Sequence, residues 1–89
     1  MSIIKTSGWQ IVVVDSGFVF LGDCISDQDT LVMTNVKQLR QWGTSRGLGE
    51  LVDGPTPKTV MDPIPSVIVP LARVIFTIPV NESKWSKIA

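Results

Sequence analysis

Histidine is absent from this sequence, and cysteine occurs once, as Cys24. Without histidine, the chain lacks the commonest metal ligand and the commonest general base. A single cysteine excludes a framework of disulfide bonds within the chain. The sequence therefore predicts a protein that is not an enzyme, has no metal site and uses no cofactor.

Charge is also scarce, because charged residues make up 18% of the chain and eight basic residues balance eight acidic ones. Non-specific binding to nucleic acids depends on clustered cations that neutralise phosphates, so we expect no nucleic-acid partner. A small domain with few charges is expected to have part of its surface covered by another subunit. We therefore predict a homo-oligomer.

Long apolar runs are missing as well. The runs Ile11–Val14 and Val67–Val69 end at Asp15 and Pro70, whereas a membrane-spanning helix needs roughly 20 apolar residues. The residues after Lys5 do not form the apolar region of a signal peptide. We expect no membrane contact and a cytoplasmic protein.

The 89 residues are 44% apolar, which predicts one globular domain over residues 1–89. Stretches rich in β-branched and aromatic residues predict three strands joined by the turns Asp15–Gly17 and Ser26–Asp29. These strands are Trp9–Val14, Phe18–Ile25 and Thr30–Thr34. They are expected to form an antiparallel meander.

Apolar residues occupy both faces of these predicted strands. In the first strand Ile11 and Val13 lie on one face, while Val12 and Val14 lie on the other. A sheet with this pattern is covered on both sides. We therefore expect the sheet to curl into a small barrel or to be covered by a neighbouring subunit.

The spacing of apolar residues changes after Thr34. Asn35 is a favourable helix N-cap, and Val36, Leu39 and Trp42 share one helical face. Because Gly43 is suited to end a helix, we predict a helix from Asn35 to Trp42.

A second short helical turn, capped by Thr44 or Ser45, is predicted before Gly54-Pro55. Its inward-facing residues are expected to be Leu48, Leu51 and Val52. Five prolines between Pro55 and Pro70 predict an extended segment that is not a central strand.

The end of the sequence predicts one more strand and a tail. The strand is Leu71–Val80, and the tail Asn81–Ala89 is expected to form a loose turn or a short helix with Trp85 as its anchor. Trp85 is expected to dock either on its own chain or in a groove of another subunit. The fold class is thus α+β and β-rich: a three-strand antiparallel meander, a short helical segment and further strands, resembling a small OB-like or SH3-like barrel.

Acidic residues and the cysteine near the second predicted turn are interpreted structurally. Asp23, Asp27 and Asp29 surround one hairpin turn, and calcium loops need more ligands at defined spacing, so we interpret them as turn residues. Cys24 lies in an apolar strand and is expected to be a small buried residue.

The stretch LVMTNVKQLRQWGTSRGLGELVDG, with the extended run and final strand that follow it, resembles a family of small phage and prophage proteins of unknown function. The matching residues are Leu31, Asn35, Leu39, Arg40, Trp42, Gly43, Leu48, Leu51, Gly54, Pro57, Val74, Ile78 and Pro79. The sequence departs from that family at Thr44-Ser45-Arg46-Gly47, where small residues are usual. The resemblance implies phage origin and a general fold, and it assigns no chemistry.

The candidate ligand-binding residues lie within the same stretch. They are Lys37, Arg40, Trp42, Thr44, Ser45, Arg46 and Gly47. The cations and the backbone N–H groups after the glycine turn suit an anion, and the indole suits a base or ring. A solvated helix face followed by a glycine turn explains the same residues, with Trp42 in the core.

The predicted function is that of a non-enzymatic phage-type accessory protein in the host cytoplasm. It is expected to act as a homo-oligomer that binds or sequesters a small nucleotide-like ligand or a host protein. Two alternatives stay open, namely a structural protein of the virion or its assembly, and a small barrel that binds single-stranded nucleic acid.

Overall fold

The computed structural model describes residues 7–45 and 47–87 of the chain. The strands within these residues are β1 Ser7–Val14, β2 Val19–Asp27, β3 Thr30–Gln41, β4 Val60–Pro70 and β5 Val74–Pro79. A first 3-10 helix, Leu48–Asp53, lies between β3 and β4, and a second, Leu71–Arg73, lies between β4 and β5. A one-turn helix, α1 Glu82–Trp85, follows β5.

The strands form one antiparallel sheet in the order β4-β3-β2-β1-β5. The predicted three-strand meander is confirmed, and so is the β-rich character of the fold. Gly17 in the first turn has φ of 90°, a left-handed conformation that glycine adopts without steric cost. The chain then adds one strand at each edge of the meander.

The helix predicted from Asn35 to Trp42 is wrong, because β3 continues to Gln41. Val36 and Leu39 both lie in the core, but on opposite faces of the sheet. A strand that is buried on both faces carries apolar residues at odd and even positions, so their spacing can imitate that of a helix. Only the later 3-10 helix is helical in this region, and Leu48 and Leu51 are buried as predicted.

Apolar side chains cover both faces of the sheet, as predicted. The first cluster, the helix-covered face, contains Ile11, Val19, Leu21, Leu39, Leu48, Leu51 and Trp85. The second cluster, the inner face, contains Val12, Val14, Cys24, Leu31, Met33, Val36 and Val69. The first 3-10 helix and α1 contribute to the first cluster alone.

The sheet is curved on the side of the inner face. A flat five-stranded sheet separates its edges by about 19 Å, but only residues 71–73 connect β4 at one edge to β5 at the other. Four residue steps reach at most about 14 Å, so the sheet must curve. Consistent with this curvature, Val14 of β1 and Val69 of β4 belong to one cluster.

Two predictions about the second half of the chain are confirmed. The proline-rich segment contains β4, which lies at the edge of the sheet. Trp85 anchors the tail on its own chain, where it is almost completely buried. No helix in the described part of the chain is long and apolar enough to cross a membrane.

Candidate functional site

The candidate site is built around a β-bulge at Asn35. Thr34 pairs with Asp23 and Lys37 pairs with Leu21, so β3 has one residue more than β2 between these pairs. Asn35 lies in the bulge and has a φ of 53°. Asparagine tolerates this left-handed conformation better than most residues, which explains its place here. Bulges bend a strand and redirect its side chains.

Gly22 is the residue of β2 that makes room for the bulge. A Cβ atom at this position would lie 2.9 Å from the carbonyl oxygen of Thr34 and 3.2 Å from the Cα of Val36. Both atoms belong to the backbone and cannot move without displacing β3. Glycine is therefore required here by space.

A cavity of about 530 Å³ lies beside the bulge, within the usual size of small-ligand sites. Its lining residues are Trp9, Asn35, Val36, Lys37, Pro63, Pro65 and Ser86. Lys37 belongs to a cross-strand row with Ile11, Leu21 and Pro63. We call this space the Trp9–Lys37 cavity.

The cavity brings together an indole, an ammonium and an amide. Trp9 and Lys37 are both half-buried, and Asn35 is exposed at the bulge. Within residues 7–45 and 47–87, Lys37 makes no ion pair. A partly buried, uncompensated ammonium next to an aromatic side chain suits a ligand that has a flat ring and a negative charge.

One wall of the cavity is held in place by Trp85. Its Nε1–H donates to the carbonyl oxygen of Leu51 at 2.7 Å, which ties α1 to the first 3-10 helix. The side chain of Asn81 caps α1 by accepting a hydrogen bond from Ser83 N–H at 3.1 Å. Together these contacts position Ser86 at the cavity.

Two of the three cations predicted to share one patch, Lys37 and Arg40, lie on different sides of the sheet. Lys37 lines the cavity, whereas Arg40 is three residues further along β3, on the opposite face, and pairs with Asp62. Trp42 follows the strand and is 40% exposed, so the expectation that it lies in the core is wrong. The strand conformation explains the separation of Lys37 and Arg40, because side chains of a strand alternate between faces.

The loop after Trp42 uses its polar groups internally. The carboxylate of Glu50 accepts hydrogen bonds from the N–H of Ser45 at 3.1 Å and from its hydroxyl at 3.4 Å. Gly47 has φ of 88° and precedes the first 3-10 helix, while Thr44 is half-buried and Arg46 lies outside the described residues. A carboxylate of the chain thus occupies the predicted anion position, and ligand binding by these residues stays a prediction.

Two threonines fasten this loop to the start of β4. Thr56 donates its hydroxyl to the carbonyl oxygen of Gly43 at 2.6 Å, and Thr59 donates to that of Trp42 at 2.7 Å. A Cβ on Gly43 would lie 2.3 Å from the carbonyl carbon of Lys58. The Trp42-Gly43 pair is therefore a structural joint between β3 and β4.

A second cavity, of about 400 Å³, opens between the first turn and β4. Its lining includes Val14, Phe20 and Val69, and an ion pair between Arg73 Nη1 and Asp15 Oδ2 at 3.0 Å lies beside it. Because its cation is already paired, this cavity is less suited to an anionic ligand than the Trp9–Lys37 cavity.

The reactive groups elsewhere in the described residues are few. No group of three or more potential metal ligands is present among them. Cys24 is buried as predicted, and its pKa is raised to about 12, mainly by burial and also by the charge of Asp23. A hydrogen bond with Gln10 offsets part of this rise in pKa. Such a thiol is not a nucleophile near neutral pH.

Comparison with protein-family models finds no family that matches the chain, and comparisons with curated proteins and solved structures find no match either.

Proposed function

We propose that this protein is a non-enzymatic binding protein that holds a small nucleotide-like ligand in the Trp9–Lys37 cavity. The observation that carries the proposal is the position of a half-buried indole and an ammonium in one cavity of about 530 Å³, where that ammonium pairs with no carboxylate of residues 7–45 and 47–87. The ligand class is an aromatic ring that bears a phosphate or a similar anionic group.

The chemistry of the lining supports this ligand class. An indole face stacks on a heteroaromatic ring, as it does on bases of single-stranded nucleic acids. The ammonium of Lys37 supplies a charge-assisted hydrogen bond to a phosphate oxygen, which is stronger than a neutral one. The side-chain amide of Asn35 adds a donor and an acceptor for the edge of the ring.

A binding role fits these residues better than a catalytic one. Catalysis needs a positioned acid and base, an activated nucleophile or a metal. The polar side chains among the described residues that line the cavity are those of Asn35, Lys37 and Ser86, apart from the indole N–H of Trp9. None of them is a carboxylate that would act as a general base beside the lysine.

The biological setting we propose is that of a phage-type accessory protein in the host cytoplasm, acting as a homo-oligomer. The resemblance of Leu31–Gly54 to small phage proteins supports the setting. Exposed apolar side chains on β5 support the oligomer, because Ile75 is 58% exposed and Phe76 is 44% exposed. A host protein is the alternative partner for the same surface.

We also propose that the curved sheet is a small barrel of the SH3-like type, a comparison of topology alone. The support is the order of the elements: a meander of four strands, a 3-10 helix and a fifth strand that pairs with the first. In such a barrel the Trp9–Lys37 cavity lies on the outer surface, between the strands and α1.

Calorimetry and thermal-shift measurements with mono-, di- and cyclic nucleotides test the binding proposal. We expect at least one nucleotide to bind, and we expect Lys37→Gln and Trp9→Leu to weaken its binding about tenfold or more, since a hydrogen bond to a charged group contributes about 1.5–3 kcal/mol. Lys58→Gln removes the same charge from an exposed loop outside the cavity and is the matched control.

Three results would change the conclusion. Binding that is lost in Arg40→Ala and retained in Lys37→Gln would move the site to the other face of β3. Binding of single-stranded oligonucleotides but not of mononucleotides would favour the nucleic-acid alternative. If no nucleotide binds, the proposal is rejected and the structural role in a virion or its assembly is favoured.

A further inference from the structure

The two edges of the sheet differ in how they are protected. At the β4 edge, the strand carries Pro63, Pro65 and Pro70, which lack the N–H group that another strand would need. At the opposite edge, Val74–Pro79 contains no charged residue, and its single proline is the last residue. Natural proteins usually protect exposed edge strands with proline, charge or a covering segment.

The backbone of β5 presents hydrogen-bonding groups to the outside. Val80 donates its N–H to the carbonyl oxygen of Trp9, so the backbone groups of Val80 point toward β1. Backbone groups of successive residues point to alternate sides of a strand, and Thr77 lies three residues earlier. The N–H and C=O of Thr77 therefore point away from β1.

Apolar side chains surround this open edge. Ile75 is 58% exposed and Phe76 is 44% exposed. The pairing of β5 with β1 is irregular at this point, since Val13 pairs with Phe76 and Val14 with Val74, which leaves Ile75 without a partner on β1. Exposed apolar residues on an edge with outward-pointing backbone groups are the features of a strand-pairing surface.

We propose that the outer edge of β5 is the interface with a second copy of this chain, through antiparallel pairing of the two β5 strands around a two-fold axis. The proposal deepens the homo-oligomer proposed above and rests on it. The second copy is the occupant because antiparallel pairing of β5 with itself is self-complementary, since each Thr77 presents both an N–H and a C=O outward. The prolines of β4 lack N–H groups and therefore disfavour pairing of β5 with the β4 edge of another copy, which would give open-ended chains. Pairing of β5 with β5 uses the same edge twice and closes the assembly.

The test introduces into β5 the proline and the charge that usually protect an edge strand. Thr77→Pro removes an outward N–H while leaving the bonds between β5 and β1, and Ile75→Lys places a charge on the edge. Light scattering during size-exclusion chromatography is expected to give about twice the 9.7 kDa of one chain for the parent protein. Both variants are expected to give a single chain mass.

Ile68→Lys is the matched control, because it places the same charge on a residue that is 66% exposed on β4. It is expected to keep the mass of the parent. A parent protein that is a monomer at micromolar concentration overturns the proposal. A variant pair that is folded by circular dichroism and still dimeric overturns it as well.

Hydrogen exchange provides a second measurement that does not depend on the variants. The amide of Thr77 is expected to become protected as the protein concentration rises, and exchange independent of concentration contradicts the β5 interface. Nucleotide binding to the Trp9–Lys37 cavity is measured separately, so failure of the interface is distinguishable from failure of the ligand site. A parent oligomer that both variants leave intact rejects the β5 edge but retains the homo-oligomer.

Discussion

The apolar side chains on the two faces of the sheet are buried in different ways. On the helix-covered face, the first 3-10 helix and α1 pack on the strands, and a hydrogen bond from Trp85 to Leu51 links these two segments. On the inner face, the buried side chains come from the strands of the curved sheet, and Val14 of β1 and Val69 of β4 belong to one cluster. The first face thus depends on a few anchoring contacts, while the second depends on the register and curvature of the strands.

The two faces should therefore respond differently to substitutions. Removing an anchor should release a segment and expose the strands beneath it. Disturbing the bulge or the inner residues should change the sheet itself.

Trp85→Ala is expected to be the most destabilising of these substitutions. Truncation of a buried tryptophan costs about 3–5 kcal/mol, and the hydrogen bond to Leu51 is lost with it. Chemical denaturation measures the loss, and increased protease cleavage after β5 would show that α1 has been released. Trp42→Ala is the matched control, because Trp42 is partly exposed and its truncation should cost about 1 kcal/mol or less. Equal losses for the two variants would contradict the anchoring role.

Gly22→Ala is expected to destabilise the sheet by about 1–3 kcal/mol, in the range found for overpacked sites. The new methyl group would lie 2.9 Å from the carbonyl oxygen of Thr34, so the bulge must shift. Gly49→Ala is the control, because a Cβ there meets nothing within 4 Å. NMR shifts at Asn35 should change in the first variant only. Unchanged stability in Gly22→Ala would mean that the bulge is not fixed by this contact.

Cys24 gives the inner face a pH dependence. Burial raises the pKa of this thiol from 9.0 to about 12. Above about pH 9 the thiol ionises in the unfolded chain but not in the folded one, so stability falls as the pH rises toward 12. Denaturation midpoints of the parent protein should therefore decline more between pH 8 and about pH 10 than those of Cys24→Ala. Parallel pH profiles would contradict a buried, neutral thiol.

The first three strands could be predicted because their information is local. The β-branched run Trp9–Val14 and the turn at Gly17 specify a hairpin without reference to the rest of the chain. The apolar residues on both faces correctly predicted a sheet covered on both sides. The prolines of β4 also correctly predicted an edge strand, because proline cannot donate to a central ladder.

The region after Thr34 was misread because a bulge interrupts the alternation of β3. The prediction that Asn35 caps a helix is wrong, because Asn35 lies within β3 and forms a left-handed bulge there. With Val36 on the inner face and Leu39 on the helix-covered face, the spacing of three residues resembled a helical stripe. Only the opposing Gly22 reveals the bulge, and that contact is not visible in the local sequence.

Among the described members of the predicted ligand-binding set, Lys37 alone lines the Trp9–Lys37 cavity. Trp9 and Ser86 were not predicted as site residues, because they lie on elements far from Lys37 in sequence. Their meeting depends on the pairing of β1 with β2 and on the docking of Trp85. Contacts of this kind follow from the assembled sheet and cannot be found by motif spacing.

The position of β1 between β2 and β5 affects how the chain folds during its synthesis. About sixty residues separate the end of β1 from the start of β5, which corresponds to several seconds of translation at about 5–20 residues per second. Throughout this interval one edge of the apolar strand β1 has no partner. The nascent chain is therefore most vulnerable to misassociation just before β5 emerges, and slower translation is expected to lengthen that period and lower the yield of folded protein.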